Sequence, residues 1–246
     1  MTLRIALIGS LLVGLLGCSS DPKVDPSTAE GSFALATKYE KDERYEEALA
    51  QFASVKNKHP YSSLATEAEL RIGEINYKRE DYIEAQAAYE GFKELHPAYA
   101  KIDYVTFRLA MSIYEQLPPT IDRDLSLADK ALLYFNEVIT SFPKSEQVPA
   151  AIEHKNKVLE MQAKKELYIG DFYFKREKYD SALGRYQELM QQFPQSSQLA
   201  KALKGGAISA YRMKDNTKAN EYLAELEKRF AGSKELRDTK EVLRAN

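Results

Sequence analysis

One pattern recurs five times along the chain and restricts the fold more than any other feature. A small residue is followed about three positions later by a hydrophobic or aromatic one. An alanine comes near position twelve, an aromatic near sixteen and a proline near twenty-four. The first copy is Ala36, Tyr39, Ala48, Phe52, Val55, Pro60, and the second is Gly73, Asn76, Ala85, Tyr89, Phe92, Pro97. The third is stretched: Ala110, Ile113, then Ala131, Phe135, Val138, Pro143. The fourth is Gly170, Tyr173, Ala182, Tyr186, Leu189, Pro194, and the fifth is Ala207, Ala210, Ala219, Leu223, Leu226, with Ala231 in place of proline. Each copy reads as two helices packed on each other. Small residues mark the close approach, aromatics fill the space between units, and proline stops the second helix because it lacks an N–H and restricts the residue before it.

The pattern matches the tetratricopeptide (TPR) repeat. The expected fold is all-α: a TPR-like helical repeat solenoid of five helix pairs, with a long helix joining repeats three and four. Equivalent alanines are 37, 46, 51 and 37 residues apart. The 46-residue step places a loop at Leu117–Asp124, where Pro118 and Pro119 forbid a longer helix, and the 51-residue step places one long helix from Ala150 to about Lys175. Arg44-Tyr45, Asp81-Tyr82 and Lys178-Tyr179 mark the turns within repeats. Ser62, Ser145 and Ser196, each two residues after a proline, are expected to N-cap the helix that follows.

The amino terminus reads as an address. Arg4 precedes an apolar run from Ile5 to Leu16. As a helix that run spans about 18 Å, short of a hydrocarbon core of about 30 Å, so it is a signal-peptide core. Leu15-Leu16-Gly17-Cys18 follows, carrying the only cysteine in the chain. It resembles the lipobox of bacterial lipoproteins, which implies cleavage before Cys18 and its acylation. Ser19 after the cysteine implies delivery to the outer membrane. The expected organisation is a signal peptide over 1–17, a lipidated cysteine and flexible tether over 18–31, repeats one to three over 32–146, and the long helix with repeats four and five over 147–246.

With 44% apolar and 29% charged residues and a formal charge of -2, the chain is globular and has no general pull toward nucleic acid. It contains no phosphate-binding glycine loop, no metal-ligand spacing and no nucleophile motif. Neither an enzyme nor a cofactor is expected. His59 and His96 stand before proline where Phe142 and Phe193 stand in other copies, so they are structural, and His154 stands alone on the long helix. Asp122, Arg123 and Asp124 are expected to form a loop salt bridge.

The first helix of each TPR pair lines the inner face of such an array. That placement gives Phe33, Thr37 and Glu40 in repeat one, Leu70, Glu74, Tyr77 and Lys78 in repeat two, and Tyr104, Phe107, Met111 and Tyr114 in repeat three. This aromatic lining suits an extended polypeptide, since aromatics bring contact area at low entropic cost. For any one of them, packing between repeats is the alternative reading. Arg176, Lys178 and Arg185 are candidates for a docking face, against the alternative of a solvated helix surface.

The lipobox, the five repeats, the extended third repeat and the long middle helix together resemble the BamD family, TPR lipoproteins of the outer-membrane β-barrel assembly machinery. Local stretches agree: His59-Pro60-Tyr61-Ser62, Ile102-Asp103-Tyr104-Val105, Asp122-Arg123-Asp124, and Tyr173 through Pro194. The resemblance implies a scaffold on the periplasmic face of the outer membrane. It would dock a POTRA domain of a BamA-like insertase through its C-terminal repeats, with Arg185 at a matching basic position. It would engage unfolded outer-membrane proteins through its N-terminal groove, and other lipoproteins of the complex are further partners. A TPR lipoprotein assisting secretin, pilus or cell-wall machinery is the alternative.

Overall fold

The computed structural model describes residues 25–244. Eleven helices and no strands occur among the described residues: α1 (Ala29–Lys41), α2 (Tyr45–Lys58), α3 (Ser63–Lys78), α4 (Tyr82–Leu95), α5 (Ile102–Tyr114), α6 (Ala128–Ser141), α7 (Val148–Phe174), α8 (Tyr179–Gln192), α9 (Leu199–Arg212), α10 (Asn216–Arg229) and α11 (Lys234–Arg244). They form the TPR-like succession of five pairs, with α11 added after the fifth. Two compact units divide between Ala65 and Thr66.

In the first unit, α1 begins at Ala29, inside the stretch read from sequence as tether. Thr28 caps it, its hydroxyl oxygen accepting from the Gly31 amide at 3.0 Å while donating to the Asp25 carbonyl at 3.0 Å. Gly31 is therefore no loosening element. The turn from Asp25 folds back over it so closely that a Cβ would overlap the Asp25 carbonyl. Ala36 and Ala48 are fully buried, and Phe52 packs edge-on against Phe33 with centroids 5.3 Å apart.

The second unit holds two apolar cores. One gathers Tyr89, Phe92, Val105, Leu109, Phe135 and Val138, and the other Leu167, Tyr186, Leu189, Leu199, Leu203 and Leu226. The long helix α7 runs through both. Ala151 and Val158 belong to the first core and Ala163 and Leu167 to the second, which is why 27 residues, about 40 Å of helix, are needed. Glu160 on α7 holds the α8–α9 connection, accepting from Ser196 Oγ (2.7 Å), Ser197 N (3.1 Å) and Gln198 Nε2 (2.8 Å). Burial pushes that carboxyl up, but the bonds from Ser197, Gln198 and Ser196 outweigh it and hold it below the usual value.

The small residue of the repeat does more than let helices approach. Gly73 faces Tyr89 and Gly170 faces Tyr186, each across its own helix pair, and a Cβ would stand 2.9 and 2.6 Å from the respective ring. Repeats one and three, whose second helices carry Phe52 and Phe135, have Ala36 and Ala110 instead. Glycine accompanies tyrosine because each ring is drawn into place by its hydroxyl: Tyr186 donates to Asp171 Oδ1 at 2.7 Å, and Tyr89 accepts from Arg108 Nε at 3.4 Å.

The turns within repeats share one geometry. Glu43, Glu80, Glu177 and Lys214 each have φ near +60° (59°, 65°, 58° and 66°). At Glu177, its own N–H bonds to Phe174 O at 2.9 Å and the next N–H, of Lys178, to Tyr173 O at 3.1 Å. This is a Schellman ending carried by a residue that disfavours it. Glu177→Gly is expected to stabilise the protein by about 0.5–1 kcal/mol, raising Tm by roughly 1–4 °C in thermal denaturation. A fall in Tm would show that the glutamate side chain contributes more than its strained backbone costs.

Each second helix ends at the residue before the proline position. The caps His59, His96, Phe142, Phe193 and Phe230 share φ between -126° and -131°. The fifth reaches the same geometry with Ala231, so proline reinforces an ending that the packing already sets. Of the serines after the prolines, Ser62 stands directly before α3 and accepts from the Leu64 amide at 3.2 Å as expected, while the other two act one step earlier. Ser145 and Ser196 accept from the amides of Gln147 and Gln198, at 3.1 and 3.0 Å, and those glutamines are the N-cap residues.

The loop of the third repeat also differs from expectation. Among the described residues Arg123 forms no ion pair. Asp124 accepts from its own neighbour two residues on, Ser126 N (3.0 Å) and Ser126 Oγ (2.7 Å), while Lys165 Nζ donates to the Arg123 carbonyl at 2.8 Å. A short carboxylate reaches local backbone more readily than it reaches an adjacent side chain.

Candidate protein-binding faces

On the first unit, the expected lining residues are Phe33 and Thr37. Phe33 is half-buried against Phe52. Thr37 is exposed, and its hydroxyl donates back to the Phe33 carbonyl at 2.9 Å.

On the second unit, α3 and α5 place the other candidates. Leu70 and Met111 go into the core, at 5% and 7% exposure; Leu70 still reaches the floor of the cleft bordered by Tyr104, whereas Met111 does not. Tyr77, Tyr104, Phe107 and Tyr114 are half-buried, each with one side on the core. Tyr104 donates to Glu74 Oε1 at 3.0 Å, and Arg71 pairs with Glu74 at 3.3 Å. Burial, reinforced by the Glu74 charge, raises the Tyr104 phenol to about 12, so it stays a donor at neutral pH. These residues border a cleft of about 540 Å³ that also takes in Glu67, Tyr99 and Lys101. Phe107 and Tyr114 lean on Phe135, with centroids 6.3 Å away in both cases. Tyr114 also meets His154 edge-on at 4.8 Å. Burial, followed by the nearby Lys157, holds that imidazole below its ordinary value, so it packs as a neutral ring.

Sequence reasoning missed two features of this unit. Arg108 lies among the tyrosines, its guanidinium carbon 3.6 Å from the Tyr77 ring centroid. Its signal was available, since it is the only charge between Tyr104 and Tyr114. The other is the outward stripe of α7. Tyr168 and Phe172 are 49% and 43% exposed, and Arg176 lies 3.6 Å over the Phe172 ring. Their i, i+4, i+8 spacing puts them on one helix face. Tyr168 also borders a cleft of about 740 Å³ formed by Tyr114, Leu117 to Asp122, Met161 and Lys164.

The three basic docking candidates are not one cluster. Arg176 is exposed and engaged with Phe172, donating also to its carbonyl at 3.3 Å. Lys178 is exposed at the start of α8. Arg185 is about two turns further along and pairs with Glu166 at 3.2 Å and Glu188 at 3.8 Å. Cys18 lies outside the described residues. Among those described, no group of histidine, cysteine or acidic residues is arranged to hold a metal, and no helix is long and apolar enough to cross a membrane.

Paired helices that repeat, with half-buried aromatics and clefts open along their first helices, define a TPR-like helical repeat protein. The chain belongs to the YfiO family of outer membrane lipoproteins, which matches it over residues 27–226. Three similar proteins are each named outer membrane protein assembly factor BamD. That of Caulobacter vibrioides is 24% identical, over 82% of this chain and 67% of its own. That of Vibrio cholerae is 25% identical, over 80% and 86%. That of Rickettsia prowazekii is 27% identical, over 82% and 82%.

Proposed function

We propose that this chain is an assembly factor for outer-membrane proteins that works by binding and performs no chemistry. The observation that carries the reading is the family match, which runs through all five repeats. On this reading, acylated Cys18 anchors the protein to the periplasmic face of the outer membrane. The half-buried aromatics of the first three repeats hold unfolded barrel precursors. Repeat four docks a POTRA domain of a BamA-like insertase, with other lipoproteins of the complex as further partners. Holding and release need no fuel, because each step follows from a difference in affinity between states. The half-buried rings fit this role, since each offers apolar surface to a passing chain while its inner edge is locked by the core.

The test is affinity purification from detergent-solubilised envelopes with identification of co-purifying proteins. Recovery of a POTRA-containing barrel supports the reading. Recovery of secretin or cell-wall proteins alone overturns it. The docking variant to compare is Arg176→Glu with Lys178→Glu. Both side chains are exposed, so Tm is expected to stay within about 2 °C, while recovery of the barrel drops at least about tenfold. Unchanged recovery removes this turn from the interface. Arg185→Glu is a poorer probe, because it would set a third carboxylate against Glu166 and Glu188 and disturb the fold it is meant to spare.

A further inference from the structure

Arg108 is a cation without a countercharge. It is half-buried on α5, with its guanidinium carbon 3.6 Å from the Tyr77 ring centroid and its Nε 3.4 Å from the Tyr89 hydroxyl. Among the described residues no carboxylate is paired with it within 4 Å, and the groups that surround it are the phenols of Tyr89, Tyr104 and Tyr77. Three other partly buried cations of this unit are matched, Lys93 with Glu137, Lys130 with Glu90 and Lys204 with Asp238. On the same face Glu74 is already committed to Tyr104 and Arg71. The tyrosine beside Arg108 supplies no negative charge either, because burial raises the Tyr89 phenol far above neutrality. A half-buried guanidinium met only by neutral phenols still lacks an anion, and its planar fork fits a carboxylate in two parallel bonds.

We propose that Arg108 receives the side-chain carboxylate of an extended polypeptide bound along the first helices of repeats two and three. The inference rests on the polypeptide-binding reading above and names the chemistry of its recognition. A side chain of a passing segment suits the site better than a chain end, because aromatic surface continues on both sides of Arg108. Tyr104 lies one turn before it on α5, and Tyr82 lies beyond Tyr77 with ring centroids 5.3 Å apart. Cation and rings together select a strand that places an acidic residue between aromatic ones.

The test uses the full mature chain and short peptides of alternating threonine and tyrosine, acetylated and amidated, with either aspartate or asparagine at the centre. Fluorescence anisotropy is expected to show the aspartate peptide binding about tenfold or more tightly. Arg108→Gln should erase that difference while leaving the asparagine peptide's affinity unchanged, and Arg108→Lys should retain part of it. Equal affinities for the two peptides on the unaltered protein would overturn the proposal without any variant, while leaving the polypeptide-binding reading intact. A preference surviving Arg108→Gln would also overturn it, by placing the carboxylate elsewhere. An asparagine peptide with a free C-terminus that matches the aspartate peptide would overturn the choice of a side chain. Failure of every peptide to bind would overturn the polypeptide-binding reading of this face, and this proposal with it.

Discussion

Gly205→Val is expected to destabilise the protein by about 3 kcal/mol, a fall of roughly 6–12 °C in Tm for a chain this size. Gly205 is buried on α9, and any Cβ there would overlap the ring of Tyr186. The ring has nowhere to go. On its other side lies Gly170 of α7, where a Cβ would stand 2.6 Å from the same ring. Its hydroxyl is tied to Asp171 at 2.7 Å, and Leu189, Leu199 and Leu203 share its core. Burial, then the hydrogen bond to Asp171 and last its charge, raise this phenol well above its ordinary value, so it remains a donor at neutral pH. Valine must therefore either splay α9 from α8 or expel the ring and break the bond, and either route forfeits packing. Gly184→Ala is the control. That glycine lies exposed within α8 with nothing near its missing Cβ, so alanine there is expected to stabilise by up to about 1 kcal/mol. Combining Gly205→Val with Tyr186→Leu should recover part of the loss, because the two changes share one contact. Melting of Gly205→Val within about 1 °C of the parent would sink the account of glycine as the partner of tyrosine.

The pairing of Gly170 with Tyr186, and of Gly73 with Tyr89, shows what the sequence made legible and what it did not. The small residue and the aromatic were readable as a pattern because they recur at fixed offsets. Their relation was not, because glycine with tyrosine and alanine with phenylalanine differ only in where a ring settles. Helix starts at Tyr45, Tyr82 and Tyr179 fell where the turn residues placed them, and the long helix fell where the spacing of alanines required it. Local punctuation of this kind depends on the chain's own stereochemistry, and a sequence carries that directly.

The faces were harder to read. Met111 and Tyr114 are neighbours on one side of α5, yet one enters the core and the other stays half in solvent. Helical periodicity gives direction but not depth, and depth depends on which residue of another helix stands opposite. Here Phe135 and His154 hold Tyr114 outward. Arg108 was not singled out, because a single sequence does not reveal whether a cation finds a partner. The aromatics of α7 were passed over because that helix read as a connector, although the spacing of Tyr168 and Phe172 was visible. The Asp122-Arg123-Asp124 stretch suggested an ion pair by composition alone, and its local backbone bonds displaced that arrangement.

Cys18→Ala, expressed behind an ordinary cleavable signal, is expected to move the protein from almost wholly membrane-bound to almost wholly soluble without changing its Tm. Each buried methylene contributes about 0.8 kcal/mol, so one acyl chain binds only reversibly while two or more hold firmly. Replacing the leader matters. If the native signal remained uncleaved, its apolar run could itself retain the chain at a membrane and hide the loss. Among the described residues no helix offers a second anchor, and Cys18 precedes the first of them by seven positions, so stability has no reason to change. A carbonate wash separates the ways the expectation could fail. Protein that stays with the membrane after the wash would count against acylation as the anchor. Protein released only by the wash would mean that docking to a membrane partner suffices to hold it. In that case the anchor's contribution is concentration: confined near the membrane, the docking turn meets its partner as though at millimolar levels, and an interface too weak in free solution becomes occupied. Adding Arg176→Glu and Lys178→Glu to the soluble form would then empty that remaining fraction, whereas in the anchored protein the same pair of changes would leave the membrane fraction intact and only the partner lost.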